Sequence, residues 1–205
     1  AEGLSVLCYD TDNDPERDLS SLKSMRDHRV QGLLYASSVE YGTAETVAEA
    51  KRLLDLLNVP VVLIDRNVPE LECSGVYLDN FDAGFKCAKI LAAAGHRRIS
   101  MITGRNSIGI SRERLNGCLS ALSCEGIDID ERYVAEGDFT SATARTLARG
   151  LLEMDEPPTA IISSNNMTTL GVLQAVNELS SDLPDGLDIL GIDSIDAFDA
   201  VGFPY

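Results

Sequence analysis

The chain has 205 residues, of which 33 are acidic and 17 basic, so its formal charge is −16 and its pI is near 4.4. With 44% apolar residues it can build a substantial core, but its longest apolar runs, such as 59–64, are too short to cross a bilayer. Repulsion from phosphates makes so acidic a chain a poor binder of nucleic acid by itself, so contact with DNA would need a basic module outside it.

Short apolar runs alternate with helical stretches along the whole chain. The pattern predicts strands at 4–9, 30–35, 60–64, 76–78, 98–103, 133–135, 159–163 and 187–192. It predicts helices at 14–28, 43–57, 79–94, 111–124, 141–154 and 168–179. This alternation indicates an α/β fold of doubly wound parallel sheets covered by helices on both faces.

Local signals define several helix ends. Asp14 is a predicted N-cap, and Pro15 suits the first position of the helix that follows. Gly95 and Gly126 are predicted to end their helices in the left-handed conformation. The acidic run around Asp14 begins like a calcium loop, but Pro15 replaces the required glycine and Ser21 the bidentate glutamate, so we expect a capping turn.

Enzyme and metal signatures are absent from the sequence. The five cysteines are odd in number and lack CxxC spacing, which favours reduced thiols in a cytosolic protein with no metal site. The two histidines, His28 and His96, lie near helix ends, and no phosphate loop, zinc-protease motif or nucleophile elbow occurs. We therefore predict no catalysis and no cofactor.

Polar residues follow four of the predicted strands. Each alone is typical of a helix cap, but together they favour a small-molecule site, because open α/β sheets bind ligands at the carboxyl ends of their strands. The residues are Ser37 and Ser38, Asp65 and Arg66, Asn165 and Asn166, and Asp193.

Seven segments of the sequence resemble segments of a known protein family and occur in the family's order and spacing. They are DTDNDPERDLSSLKSMRDHRVQGLLYASS, VVLIDR, VYLDNFDAGFKCAKILAAAGHRRISMITG, SRERLNGCLSAL, GDF, PTAIISSNNMTTLGVLQAV and ILGIDSID. Over essentially the whole chain they resemble the effector-binding core of the LacI/GalR family of bacterial transcription regulators.

The resemblance implies a type I periplasmic-binding-protein-like fold, with two α/β subdomains and a ligand cleft between them. Residues 1–103 would be the N-terminal subdomain without its first strand and helix, and 104–205 the C-terminal subdomain without its returning crossovers. We expect both ends of the chain to be truncated. A helix-turn-helix domain would precede the core and bind operator DNA, and the regulator would be a cytoplasmic homodimer with no membrane contact.

The resemblance also implies an effector site. Asp65 matches the strand-end carboxylate of the N-terminal subdomain, and Arg114, three residues before Gly117, matches the arginine that forks onto the effector. Four further residues would contact the effector. Phe139 matches the aromatic residue that stacks on it, and Asn165 matches a strand-end asparagine. Asp193 is the second carboxylate, and Ser37 is a strand-end hydroxyl.

Other roles for these residues stay open. Arg114 could pair with Glu113 or Glu125 on the surface, and Phe139 could belong to the core. The chain also departs from the family pattern at three positions. Asn166 stands where relatives usually have an aspartate, Ile110 where many have a polar side chain, and Cys118 where an aromatic ring is more common.

The effector class is open as well, because the set suits a sugar and also a purine or nucleoside. An alternative function is sugar delivery to an ABC transporter by an exported protein of the same fold. The unpaired cysteines and the GHRRI and R-x-x-G segments favour the regulator. A flavodoxin-like enzyme is a third class, disfavoured because no nucleophile–base pair appears.

Overall fold

The computed structural model describes residues 3–179, 183–184 and 186–195. The chain divides into two compact units, the first extending to Leu78 and the second beginning at Asp79. Each unit contains its own parallel sheet, which confirms the predicted α/β fold class. The prediction that both ends are truncated was based on residues 1–3 and 202–205, and of these only Gly3 lies within the described residues.

The elements follow the predicted alternation. The helices are α1 Pro15–Asp27, α2 Ala44–Leu57, α3 Asn80–Ala93, α4 Gly109–Cys124, α5 Ser141–Leu152 and α6 Asn166–Leu179. The strands are β1 Leu33–Tyr35, β2 Val61–Ile64, β3 Ser74–Val76, β4 Ile99–Thr103, β5 Val134–Glu136, β6 Ala160–Ser163 and β7 Asp188–Gly191. Among the helices that the structure describes, none combines the length and apolarity needed to span a membrane.

The helix signals act as predicted. The Asp14 carboxylate accepts from the backbone N–H groups of Glu16 and Arg17, with Pro15 at the first helical position. The calcium-loop spacing is therefore a capping turn, and the described residues contain no cluster of metal-ligand side chains. Gly95 and Gly126 have φ values of 100° and 66°, as left-handed stops require.

The predicted strand at 4–9 is wrong. Within the described part of the chain, this segment pairs with no strand, and Leu4 and Val6 are 71% and 83% exposed. An apolar run of strand length becomes a strand only where a neighbouring backbone completes its hydrogen bonds, and the described residues supply none.

The first unit packs α1 and α2 against one face of a parallel sheet in the order β1-β2-β3. Its core includes Leu22 from α1, Leu53 from α2, and Tyr35 and Leu63 from the strands. Leu34 points away from this core and is 71% exposed. The alternation of strand side chains therefore leaves one apolar face of this sheet without a described covering element.

A buried carboxylate ties α1 to the loop after β1. Asp18 is 2% exposed and accepts the hydroxyl hydrogen of Tyr35 at 3.0 Å and the backbone N–H of Ser38 at 2.6 Å. Burial raises the pKa of Asp18 above its ordinary value, although both hydrogen bonds act in the opposite direction. The loop after β1 is thus anchored to α1 through the backbone N–H of Ser38.

The second unit is a four-stranded parallel sheet in the order β5-β4-β6-β7. Met101 and Ile162 face a core completed by α3 and α4. Ile102 and Ile161 face a second core completed by α5 and α6. Both faces are covered, so β4 and β6 are buried along their whole length, as is typical of parallel sheets.

This division differs from the boundary predicted after Thr103. β4 pairs with β5 and β6 in the second sheet, and α3 packs on α4, so residues 79–103 belong to the second unit. Strand–helix alternation is the same on either side of a subdomain boundary. It therefore carries no information about which sheet a given strand joins.

The helices α3 and α4 touch backbone to backbone at two glycines. A Cβ atom on Gly84 would overlap the carbonyl oxygen of Arg114, and one on Gly117 would overlap the carbonyl oxygen of Phe81. Only glycine permits this approach, which brings the Arg114 side chain against α3. The R-x-x-G spacing noted in the sequence therefore has a packing role.

We expect Asp18→Asn to keep the free energy of unfolding at pH 7 within about 1 kcal/mol of wild type, because an amide oxygen can accept both hydrogen bonds without a buried charge. Asp18→Leu should lower it by about 2–3 kcal/mol, since the Ser38 N–H and the Tyr35 hydroxyl lose their acceptor. Urea unfolding of both variants measures the difference, and equal values would contradict this account.

The pH dependence has a definite sign. Because the folded-state pKa of Asp18 is raised, its contribution to stability is greatest when it is protonated and is lost as pH rises through that pKa. Asp18→Asn should therefore gain stability relative to wild type as the pH rises through the folded-state pKa of Asp18. At higher pH the difference in the free energy of unfolding between the two proteins should stay constant.

Gly117→Ala should lower the free energy of unfolding by about 2–3 kcal/mol, because the added methyl group forces α3 and α4 apart. Gly150→Ala on α5 is the matched control, since its Cβ would meet nothing within 4 Å. That variant should be stabilised by about 0.5–1 kcal/mol. Thermal unfolding of both proteins checks the contrast, and a stable Gly117→Ala variant would contradict it.

Candidate functional site

The second sheet has a topological switch point between β4 and β6. β4 continues through α4 to β5 on one side, whereas β6 continues through α6 to β7 on the other. The loops that leave the carboxyl ends of these two adjacent strands therefore run to opposite sides, and this is the position at which sheets of this kind bind ligands. Most of the predicted site residues in this unit lie on this edge.

Arg114 is buried beside this edge, with 5% exposure. Its Nε donates to Oδ1 of Asn80 at 2.9 Å, and its Nη1 donates to the carbonyl oxygen of Ser164, the first residue after β6. Nη1 also lies 3.7 Å from Oδ2 of Asp193. The other terminal nitrogen, Nη2, has no hydrogen-bond partner among the described residues.

Asp193 follows β7 by two residues and has a φ of 73°, in the left-handed region that aspartate tolerates better than most residues. The preceding residue, Ile192, donates its N–H to the carbonyl oxygen of Ser163 and so extends the sheet pairing to this point. The Asp193 side chain is 42% exposed. Its carboxylate therefore lies beside Arg114 and is also open to solvent.

Asn165 caps helix α6, which is one of the two roles that the sequence allows for it; the other is ligand binding. Its Oδ1 accepts the N–H of Thr168 at 2.7 Å, and its carbonyl accepts the N–H of Thr169 at 2.9 Å. The Oδ1 of Asn166 accepts the N–H of Met167 at 2.8 Å. The amide oxygens of both asparagines thus serve the first turn of α6.

Phe139 lies after β5 with a φ of 66°, and its half-buried ring covers Gly104, the residue after β4. The preceding Asp138 accepts the hydroxyls of Thr140 at 2.7 Å and Thr143 at 3.0 Å. Burial acts to raise the pKa of Asp138, but these hydrogen bonds outweigh it and lower that pKa. The loop is therefore fixed, with the aromatic ring at the carboxyl edge of β4 and β5.

In the first unit, Asp65 occupies a tight turn directly after β2. Its φ is 67°, its N–H donates to Val76, and the next N–H, that of Arg66, donates back to Ile64 at 2.7 Å. A turn of this kind is uncommon and strained for a residue with a side chain. The half-buried carboxylate of Asp65 makes no hydrogen bond or ion pair with the described residues.

Arg66 is used inside the first unit. Its Nη1 donates to the carbonyl oxygen of Ser37 at 3.0 Å and its Nη2 to Oδ1 of Asn13 at 2.6 Å, while the guanidinium lies 5.0 Å from the ring centroid of Tyr41. Ser37 is fully buried, and its hydroxyl accepts the N–H of Val39 at 3.2 Å. Its burial does not support the predicted ligand contact, because a side chain beneath the surface cannot reach an effector.

Sequence reasoning missed Asn80. It is 2% exposed and accepts from Arg114, yet a polar residue in the first turn of a helix is ordinarily interpreted as solvent-facing. Neither Glu113 nor Glu125 pairs with Arg114 among the described residues. Asp193, 79 positions away in sequence, takes that place.

A doubly wound parallel sheet with an arginine and a carboxylate at its switch point defines an α/β small-molecule-binding domain. Residues 88–204, more than half of the chain, match the periplasmic binding protein-like domain family. The chain belongs to this family.

Two curated relatives are transcriptional repressors. The HTH-type repressor CytR of Escherichia coli K12 is 35% identical over 137 residues, which cover 67% of this chain and 40% of CytR. The HTH-type repressor PurR of Actinobacillus pleuropneumoniae serotype 3 is 27% identical over 194 residues, which cover 95% of this chain and 56% of PurR. The chain therefore spans about half the length of these relatives.

Solved structures agree with the fold. A proposed ribose operon repressor from Burkholderia thailandensis superposes with a TM-score of 0.80 at 27% identity, covering 99% of this chain and 73% of that one. The regulator CcpA of Lactococcus lactis gives 0.78 at 23% identity, covering 94% and 68%, which supports the fold alone. The resemblance to the effector-binding cores of LacI-type regulators is confirmed.

Arg114→Met should lower the free energy of unfolding by about 2–3 kcal/mol, because Asn80 and the Ser164 carbonyl lose a charged donor inside the protein. Arg145→Met is the control. Arg145 is half exposed and pairs with Glu178 at 3.3 Å, so its loss should cost less than about 1 kcal/mol. Similar losses in a denaturant titration would show that Arg114 is not anchored as described.

Proposed function

We propose that the chain is the effector-sensing core of a LacI-type bacterial transcription regulator, and that it binds a small polyhydroxylated molecule without catalysis. One observation supports this above the others. Arg114 is anchored through Nε and Nη1, and its Nη2 has no partner among the described residues, while Oδ2 of the exposed Asp193 carboxylate lies 3.7 Å from Nη1.

This pair complements hydroxyl groups. A guanidinium only donates hydrogen bonds and an ionised carboxylate only accepts them, so side by side they satisfy a hydroxyl pair, which does both. A sugar is therefore our first effector class. A nucleoside presents a similar hydroxyl pair on its ribose and is the second, and the ring of Phe139 offers an apolar surface for either.

Transcription control is supported by the named relatives, which are helix-turn-helix repressors. With a formal charge of −16, these 205 residues would need a basic module outside them to bind operator DNA. We infer a cytoplasmic homodimer in which effector binding shifts DNA affinity, by no more than the effector's differential affinity for the two conformational states. The relatives named above are regulators, which favours this function over sugar transport.

The first experiment is a thermal-shift screen of pentoses, hexoses, nucleosides and purine bases, followed by calorimetry with the compound that raises Tm most. We expect Asp193→Asn and Asp65→Asn to weaken its binding about tenfold or more, through loss of charge-assisted hydrogen bonds. Ser37→Ala is the matched control and should bind normally, because its hydroxyl is buried and used within its own loop.

Two outcomes would overturn the proposal. One is that neither sugars nor nucleosides raise Tm. The other is that the Asp193→Asn variant binds the compound as tightly as wild type. Recovery of a chemically altered compound after prolonged incubation would contradict the non-catalytic part of the proposal.

A further inference from the structure

A concave surface lies elsewhere on the same unit. It is a groove of about 460 Å³ formed by one face of α4, the loop after α4, and the first residue of β5. The groove runs along α4 from Leu115 to the start of β5 at Val134, and so reaches the amino ends of the strands. Arg114 and Asp193 are not among its lining residues, so the groove and the proposed effector site have no residue in common.

The floor of the groove is apolar. Ile127 is 7% exposed and belongs to the core between α3 and α4, with Leu115 and Ile129 packed against it. Leu119 is 36% exposed at the rim. The volume falls within the range of about 300–1,000 Å³ that holds small organic ligands, and apolar surface of this kind favours a compact hydrophobic body.

Two carboxylates line the same groove. Asp128 and Glu131 are exposed and form no hydrogen bond or ion pair with the described residues. The cation beside them in sequence, Arg132, is held by Asp130, with Nε 2.8 Å and Nη2 2.7 Å from Oδ2. Local pairing therefore leaves the charges of Asp128 and Glu131 without a counter-charge.

We propose that this groove binds a small amphipathic organic cation, an amine carried on an aromatic or branched apolar body. The ammonium group donates to the carboxylates of Asp128 and Glu131, and the apolar body packs on Ile127 and Leu115. The formal charge of −16 raises the local concentration of cations around the protein and so supports the encounter. This inference does not depend on the effector site.

The absence of tryptophan from the chain allows a direct test. Tryptamine is an indole with an ammonium group, and tryptophol is the same indole with a neutral hydroxyl. Each is titrated with the full 205-residue chain, and indole fluorescence anisotropy is recorded with excitation beyond the tyrosine absorption. We expect the binding of tryptamine to reach saturation. Tryptamine should bind about tenfold more tightly than tryptophol, because it adds one charge-assisted interaction.

Variants locate the site. The double change Asp128→Asn with Glu131→Gln should remove the preference for tryptamine over tryptophol and leave the weak binding of tryptophol. Glu113→Gln is the matched control, because it neutralises an exposed carboxylate on α4 that does not line the groove. Leu119→Lys should abolish tryptamine binding by placing an ammonium group at the rim.

Three results would overturn the proposal. The first is equal affinity of the protein for tryptamine and tryptophol. The second is tryptamine binding that does not saturate and that Glu113→Gln weakens as much as the double change does. The third is tryptamine binding to Leu119→Lys that is as tight as binding to wild type. Circular dichroism of each variant establishes that the comparison is between folded proteins.

Discussion

The backbone contact between α3 and α4 is the constraint on which the second unit depends. Gly84 and Gly117 bring the two helices closer than any side chain would allow. The thiol of Cys118 donates to the Gly84 carbonyl at 3.1 Å and adds a polar contact at the crossing. From this position the Arg114 side chain reaches Asn80 on the facing helix and the Ser164 carbonyl at the end of β6.

Buried polar contacts then set the geometry of both carboxyl edges. In the second unit the buried guanidinium of Arg114 donates to a side-chain amide and a backbone carbonyl. In the first, the buried carboxylate of Asp18 accepts from Tyr35 and Ser38. Burying charge is unfavourable unless it is hydrogen-bonded, so each such group tolerates few alternative positions for its partners. The loops after β1 and β6 are therefore each held by a buried hydrogen bond to their backbone.

The proposed effector site and the groove along α4 differ in chemistry. The carboxyl edge combines an anchored arginine with a carboxylate and suits neutral molecules rich in hydroxyl groups. The groove at the amino ends combines an apolar floor with unpaired carboxylates and suits cations. α4 contributes to both, since Arg114 lies at the first and the adjacent Leu115 at the second. One helix thus connects surfaces of opposite preference.

Local chemistry alone predicted much of this fold. Asp14, Pro15, Gly95 and Gly126 acted as caps and stops because their effects depend on residues within one helical turn. The alternation of apolar periods indicated an α/β fold because burial on both sheet faces requires it. The strand at 4–9 and the boundary after Thr103 could not be predicted, since each depends on which distant backbone lies alongside.

The candidate site divides in the same way. The sequence by itself determined which polar residues follow the strands, and so placed Asp65, Asn165 and Asp193 on carboxyl edges, while Phe139 was predicted only through the family resemblance. Only the tertiary structure decided what each does there. It buried Ser37, committed the Asn165 oxygen to capping α6, and paired Arg114 with Asp193 instead of the neighbouring glutamates. The reason is physical: hydrogen-bond partners and exposure are set by atoms that meet only when strands and helices far apart in the chain have packed.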